Sequence, residues 1–208
     1  MKRNILLLLF SLFVCISSFS QEGLYQLAKN YFRSNPFIGE FSGFLKHLIN
    51  DPALQDKKIQ QRTDSTLFYF YAEYKNYNPY FFKPNRVEVL LEETSVRYVD
   101  SLPADTILIY QLLAYSEESR GPQEIKKEFE RIHRKYNKKF AASNFLDMKT
   151  GKEITGGLHN YFVSFAGLAP VSIVWGLLKE TNEYVLNITL RLKSNENRTI
   201  LPATFYNP

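Results

Sequence analysis

Hydrophobic and polar positions alternate most regularly near the end of the chain, where Tyr184, Leu186, Ile188, Leu190 and Leu192 interleave with Val185, Asn187, Thr189 and Arg191. Strand side chains point to opposite faces in turn, so this run predicts a strand with one apolar and one mostly wet face. The apolar run 171–179 before it, joined by a short polar turn, reads as its hairpin partner. The segment 67–75 puts Phe68, Phe70, Ala72 and Tyr74 on one face, and 86–92 sets Val87, Val89 and Leu91 opposite Glu88 and Glu92. Residues 95–99 continue or follow that strand. The run 106–115 is apolar on nearly both faces, as a covered central strand is. Residues 161–166 predict another strand, and 199–205 a last edge strand limited by Pro202.

Three stretches carry helical spacing instead. Leu24, Leu27, Ala28, Tyr31 and Phe32 recur every three or four residues until Ser34-Asn35-Pro36 interrupts them. A second helix carries Phe37, Phe41, Phe44, Leu45, Leu48 and Ile49 and stops at Asn50-Asp51-Pro52, because a residue before proline resists the helical region. A third begins at Pro122 and shows a narrow stripe of Ile125, Phe129, Ile132, Tyr136 and Phe140. The polar stretch 55–63 reads as a loop or a loose helical turn, and the polar stretch 141–157, with Gly156-Gly157 as a turn signal, reads as a loop.

These elements predict one α+β domain over 21–208: a mainly antiparallel, curved sheet of six to eight strands, with two N-terminal helices and one long central helix packed on it. By architectural analogy with cystatin-like and nuclear transport factor-like folds, such a sheet would form a cup. Residues 1–20 stand apart from the fold. Lys2 and Arg3 precede an apolar run from Ile5 to Val14, and Ser18-Phe19-Ser20 supplies small residues at a cleavage site. This is the pattern of a secretory signal, and it predicts an exported periplasmic or extracellular protein of bacterial type. No later apolar run is long enough to span a bilayer. Cys15, the sole cysteine, falls inside the signal, and the bulky Val14 before it disfavours lipid attachment there.

Composition sharpens the picture in two places. Of 208 residues, 14 are Tyr and 17 Phe against one Trp, which suits a β-rich core or an aromatic-lined pocket. The formal net charge is +5, and loss of Lys2 and Arg3 leaves +3. Segment 120–140 holds eight Lys or Arg against three Glu, so it carries more than the whole surplus and the remainder is slightly acidic.

Candidate chemistry follows from these features. An anionic surface or protein is expected to meet Lys126, Lys127, Arg131, Arg134, Lys135, Lys138 and Lys139, or exposed aromatics at Tyr69, Tyr71, Tyr74, Tyr77 and Tyr80. A solvated helix face accounts for the same charges with no partner at all. Nucleic acid fits the charge but not an exported location. A small apolar ligand held in the cup is an alternative, as is a hydrolase with acid–base groups at Asp147, Glu153 and His159. The histidines His47, His133 and His159 read as isolated, with no zinc-type spacing, nucleophile elbow or phosphate loop, so no metal or cofactor is called for.

Overall fold

Alternation in the sequence becomes a single antiparallel sheet of the order β1-β2-β3-β4-β8-β7-β6-β5, with the short β9 pairing β8 beside this path. The computed structural model describes residues 22–37, 40–61, 68–96, 105–137, 142–150, 153–162, 169–194 and 200–202. Residues 1–21, Cys15 among them, and Lys138, Lys139 and Phe140 lie outside them. The strands are β1 Leu54–Gln61, β2 Phe68–Tyr74, β3 Arg86–Val96, β4 Asp105–Glu117, β5 Ala142–Thr150, β6 Glu153–Phe162, β7 Val171–Leu178, β8 Glu183–Ser194 and β9 Ile200–Pro202. Helix α1 spans 22–31, α2 Phe41–Ile49 and α3 Gln123–Tyr136. The architecture is α+β, with an open sheet.

The apolar positions of each strand share one face. Phe70, Ala72 and Tyr74, Val87, Val89 and Leu91, Tyr110, Leu112 and Ala114, and Leu186, Ile188 and Leu190 are all buried there. Leu24, Leu27, Tyr31, Phe44, Leu48, Ile125, Phe129 and Ile132 of the helices join them in one core. Strand β4, expected to be central, is flanked by β3 and β8. Its Tyr110 ring lies tilted against Phe32 at 4.6 Å and meets Phe44 edge-on at 5.2 Å, and its hydroxyl donates to the Ser34 carbonyl at 3.2 Å. Helix α1 is tied to α3 through Asn30, whose amide donates to the Tyr136 hydroxyl at 2.6 Å.

Two expectations fail, at the edge strands β1 and β5 and in the start of β6 beside the latter. Residues 55–61, read as a loop or a loose helical turn, form β1, and 142–150 with 153–157, read as a loop, form β5 and the start of β6. Edge strands see solvent on more than one side, so the apolar alternation that marks a buried strand is weak in them. Strand β1 carries a register shift between Gln55 and Lys58, with Asp56 at φ 51°, a bulge that roughens the edge. In β6, Gly156 and Gly157 are strand residues rather than a turn. They pair with Gly176 and Trp175, and a Cβ at Gly157 would lie 2.5 Å from the Trp175 indole nitrogen. The segments 86–92 and 95–96 prove to be one strand.

Candidate functional site

The loop between β2 and β3 is tightly held, and that is why Phe81 stands out from it. Asn78 accepts the Tyr80 N–H through its side-chain oxygen at 2.9 Å and donates to the Phe82 carbonyl at 3.1 Å. Tyr80 and Phe82 are buried, with ring centroids 5.4 Å apart, while Phe81 between them is 76% exposed. The Phe81 N–H is met by the Glu128 carboxylate of α3 at 3.2 Å. Glu128 is fully buried; it also accepts from the Tyr31 hydroxyl at 3.2 Å and from Arg131 Nε and Nη2 at 2.8 and 2.6 Å. Burial, with the Glu128 charge adding to it, pushes the Tyr31 phenol well above its ordinary pKa, so it remains a donor.

Beside Phe81 lies a groove of about 580 Å³ lined by Phe81, Phe82, Lys83, Arg120, Glu124 and Lys127. Arg120 donates to the Lys83 carbonyl at 3.0 Å, closing one end. The chain enters α3 through the 3-10 turn Glu118–Arg120 and Gly121 at φ 66°, a conformation that favours glycine. Three cations thus face one carboxylate around an exposed aromatic ring.

The expected binding residues divide among several places. Lys127 lines the groove, and Arg134 and Lys135 are exposed on α3 with Lys126 half-buried. Arg131 is committed to Glu128 and donates to the Tyr31 hydroxyl at 3.0 Å, so it is a structural cation. Tyr69 and Tyr71 are half-buried on the sheet face away from the helices, and Tyr77 is half-buried against Tyr74 at 4.9 Å. Tyr74 and Tyr80, expected at the surface, are core residues, because the inward alternation of β2 and the Asn78 turn carry them under the helices. Phe81, Lys83 and Arg120 lie outside the contacts that the sequence leads one to expect. The signal for Phe81 is its place in Tyr80-Phe81-Phe82, where alternation turns the middle ring away from the other two.

Of the expected Asp147, Glu153 and His159 grouping, the Glu153 side chain lies outside the described residues. Asp147 is exposed on β5, whereas His159 is 1% exposed under α3 and meets His133. The two rings lie 4.2 Å apart, with His133 Nδ1 3.3 Å from His159 Nε2, and Phe145 packs at about the same level. These histidines, read as isolated, are a pair. Among the described residues no three His, Cys, Asp or Glu side chains cluster as metal ligands would. Burial, and next the neighbouring His133, lower the His159 pKa from 6.5 to about 4. The unfolded chain therefore takes up a proton near pH 6.5 that the folded chain refuses until about pH 4. Stability is expected to be full above that window and to fall on acidification through it, by about 3 kcal/mol in all. Denaturation midpoints measured across the window, in the protein and in His159→Gln, check this: the variant should show a flatter slope.

On the opposite sheet face Arg86 bridges Glu88 and Glu183 at 2.8 and 2.7 Å and stacks over Tyr115 at 3.8 Å. Each carboxylate is already paired, so this constellation ties β3, β4 and β8 together and does not resemble a free acid–base couple. Among the described residues no helix is long and apolar enough to cross a membrane. Comparison with family models, curated proteins and solved structures returned no match.

Proposed function

We propose that the protein is an exported, non-catalytic binding protein that docks on anionic lipid surfaces through the Phe81 groove. The observation that carries this reading is Phe81 itself, 76% exposed on an anchored loop and ringed by Lys83, Arg120 and Lys127. A rigid apolar tip among cations suits the boundary between anionic headgroups and acyl chains. Inserting a phenylalanine contributes about 2 kcal/mol, and each cation near an anionic bilayer about 1 kcal/mol. With Glu124 opposing them, the sum corresponds to weak, salt-sensitive association. The exposed Arg134 and Lys135 extend the same charge along α3.

The carrier reading, with a cup-shaped sheet around an apolar ligand, is less well supported. The space between helices and sheet is filled by Trp175, Tyr110, Phe129 and their neighbours, and the cavities seen among the described residues open outward past charged groups.

Cosedimentation with vesicles tests the proposal. Equimolar phosphatidylglycerol and phosphatidylcholine vesicles should pull down the mature protein at low ionic strength, and pure phosphatidylcholine vesicles should not. Lys83→Glu with Lys127→Glu should abolish the difference while the fold is kept. Equal pull-down by both vesicle types, or selective binding to a soluble acidic polypeptide instead, overturns the lipid assignment.

A further inference from the structure

A second recess lies at the other end of the helical layer, where the segment after α1 meets α2. It is an open cleft of about 720 Å³ whose walls include Arg33, Gly43, Lys46, His47 and Asn50. A smaller hollow of about 200 Å³, sharing Arg33, Gly43 and His47, deepens it toward Phe44. Lys46 and His47 follow Gly43 by three and four residues, so α2 presents the three on one face, and Asn50 caps the helix end beside them.

The bonding of the floor explains what the cleft can take. Asp51 is 7% exposed and both its oxygens are occupied, one by the Ala53 N–H at 2.9 Å and the other by Arg33 Nε at 2.8 Å. That pairing uses only one nitrogen of the guanidinium, and the terminal two keep their donors without a hydrogen-bond partner among the described residues. Lys46 and His47 lie in the last turn of α2, where cations usually serve the helix's own carbonyls. Here Lys57 already takes that place: its Nζ donates to the Ile49 carbonyl at 2.8 Å and the Asp51 carbonyl at 2.9 Å. The Lys46 ammonium, the His47 ring and the Asn50 amide are left without side-chain hydrogen bonds among the described residues. The cleft is therefore rich in uncommitted donors, and its buried acceptor is spent.

Gly43 adds an independent indication. It sits inside a helix, where glycine is unfavourable relative to alanine, and a Cβ built on it would meet nothing within 4 Å. Close packing does not demand glycine here. What the missing side chain preserves is the open space of the cleft.

The geometry points to a binding site for a small oxyanion, a carboxylate or phosphate group of an organic ligand, held by the Arg33 fork, Lys46 and His47 with the ligand's body over Gly43. The site is separate from the Phe81 groove and does not depend on it.

Titration of the isotope-labelled mature protein with inorganic phosphate, and separately with acetate, followed by amide NMR shifts, tests the assignment. Saturable shifts confined to residues around 33–35 and 43–51 are expected, with whichever probe binds more tightly reporting which oxyanion the site prefers. Lys46→Gln should weaken binding at least ten-fold. Gly43→Leu fills the cleft without a backbone clash, so it should abolish binding while leaving the melting temperature unchanged or higher. Lys127→Glu should leave these shifts intact. Shifts that spread over all basic surfaces without saturating, or that persist in Gly43→Leu, overturn the site.

Discussion

Arg131→Ala is expected to destabilise the protein by about 3 kcal/mol, more than Glu128→Gln at about 1 kcal/mol. The asymmetry follows from where the two charges sit. The Glu128 side chain is fully buried, whereas that of Arg131 is 41% exposed. Removing the guanidinium leaves a buried carboxylate with only the Tyr31 hydroxyl and the Phe81 N–H, both at 3.2 Å. Removing the carboxylate's charge lets Arg131 turn to water, and the amide oxygen still accepts from the loop. Solvent access to Arg131 screens the pair, which keeps the larger cost at the lower end of the range for broken buried ion pairs. In a domain of this size the Arg131→Ala loss corresponds to a melting temperature lower by about 10 °C. Urea unfolding with an unchanged slope checks the ranking, and equal effects of the two variants would contradict it.

Gly156→Ala is expected to cost about 2–3 kcal/mol, as overpacking of a filled site does. An added Cβ would stand 2.7 Å from the Trp175 carbonyl oxygen and 3.3 Å from the Gly176 Cα, both backbone atoms of the paired strand. Neither can swing aside without moving β7 relative to β6. At Gly157 the obstacle is the indole, 2.5 Å away at Nε1, with Phe129 of α3 at 3.5 Å. The indole is itself nearly sealed at 1% exposure, so Gly157→Ala should push α3 outward at similar cost. Gly43→Ala has the opposite sign, a gain of about 0.5–1 kcal/mol, since only helix propensity changes. Thermal unfolding of the three variants side by side distinguishes packed glycines from the open one.

The central sheet was legible because its strands bury one face and wet the other. The hairpin of β7 and β8, the inward set Phe68, Phe70, Ala72 and Tyr74, and the α3 stripe Ile125, Phe129, Ile132 and Tyr136 all follow from spacing alone. Edge strands escaped the same logic. In β1 the sequence LQDKKIQQ shows no apolar alternation because the strand is paired on one side only. In β5, Phe145, Leu146 and Met148 stand exposed, so their apolar character marks no core.

The sites were legible in part. The basic run of α3 was visible, but charge count could not separate Lys127 at the groove from Arg131 locked on Glu128, because that lock requires the Tyr31 and Phe81 partners from distant segments. His133 and His159 looked isolated since their meeting depends on how α3 lies over β6, a packing no local spacing encodes. In α2 the set Gly43, Lys46, His47 and Asn50 was present in the sequence. Its place on a cleft wall depends on Arg33 arriving from the segment after α1 and on Lys57 serving the helix end, neither of which local spacing encodes.

The most direct measurement is the fluorescence of a Phe81→Trp variant titrated with anionic vesicles. The protein's one tryptophan, Trp175, is buried at 1% exposure, so its emission is already that of an apolar site and serves as a constant background. The reporter at position 81 should begin solvent-exposed, shift to the blue on phosphatidylglycerol vesicles, and return when salt is raised, with no change on pure phosphatidylcholine. An emission that stays solvent-like on anionic vesicles at low ionic strength would contradict docking through Phe81.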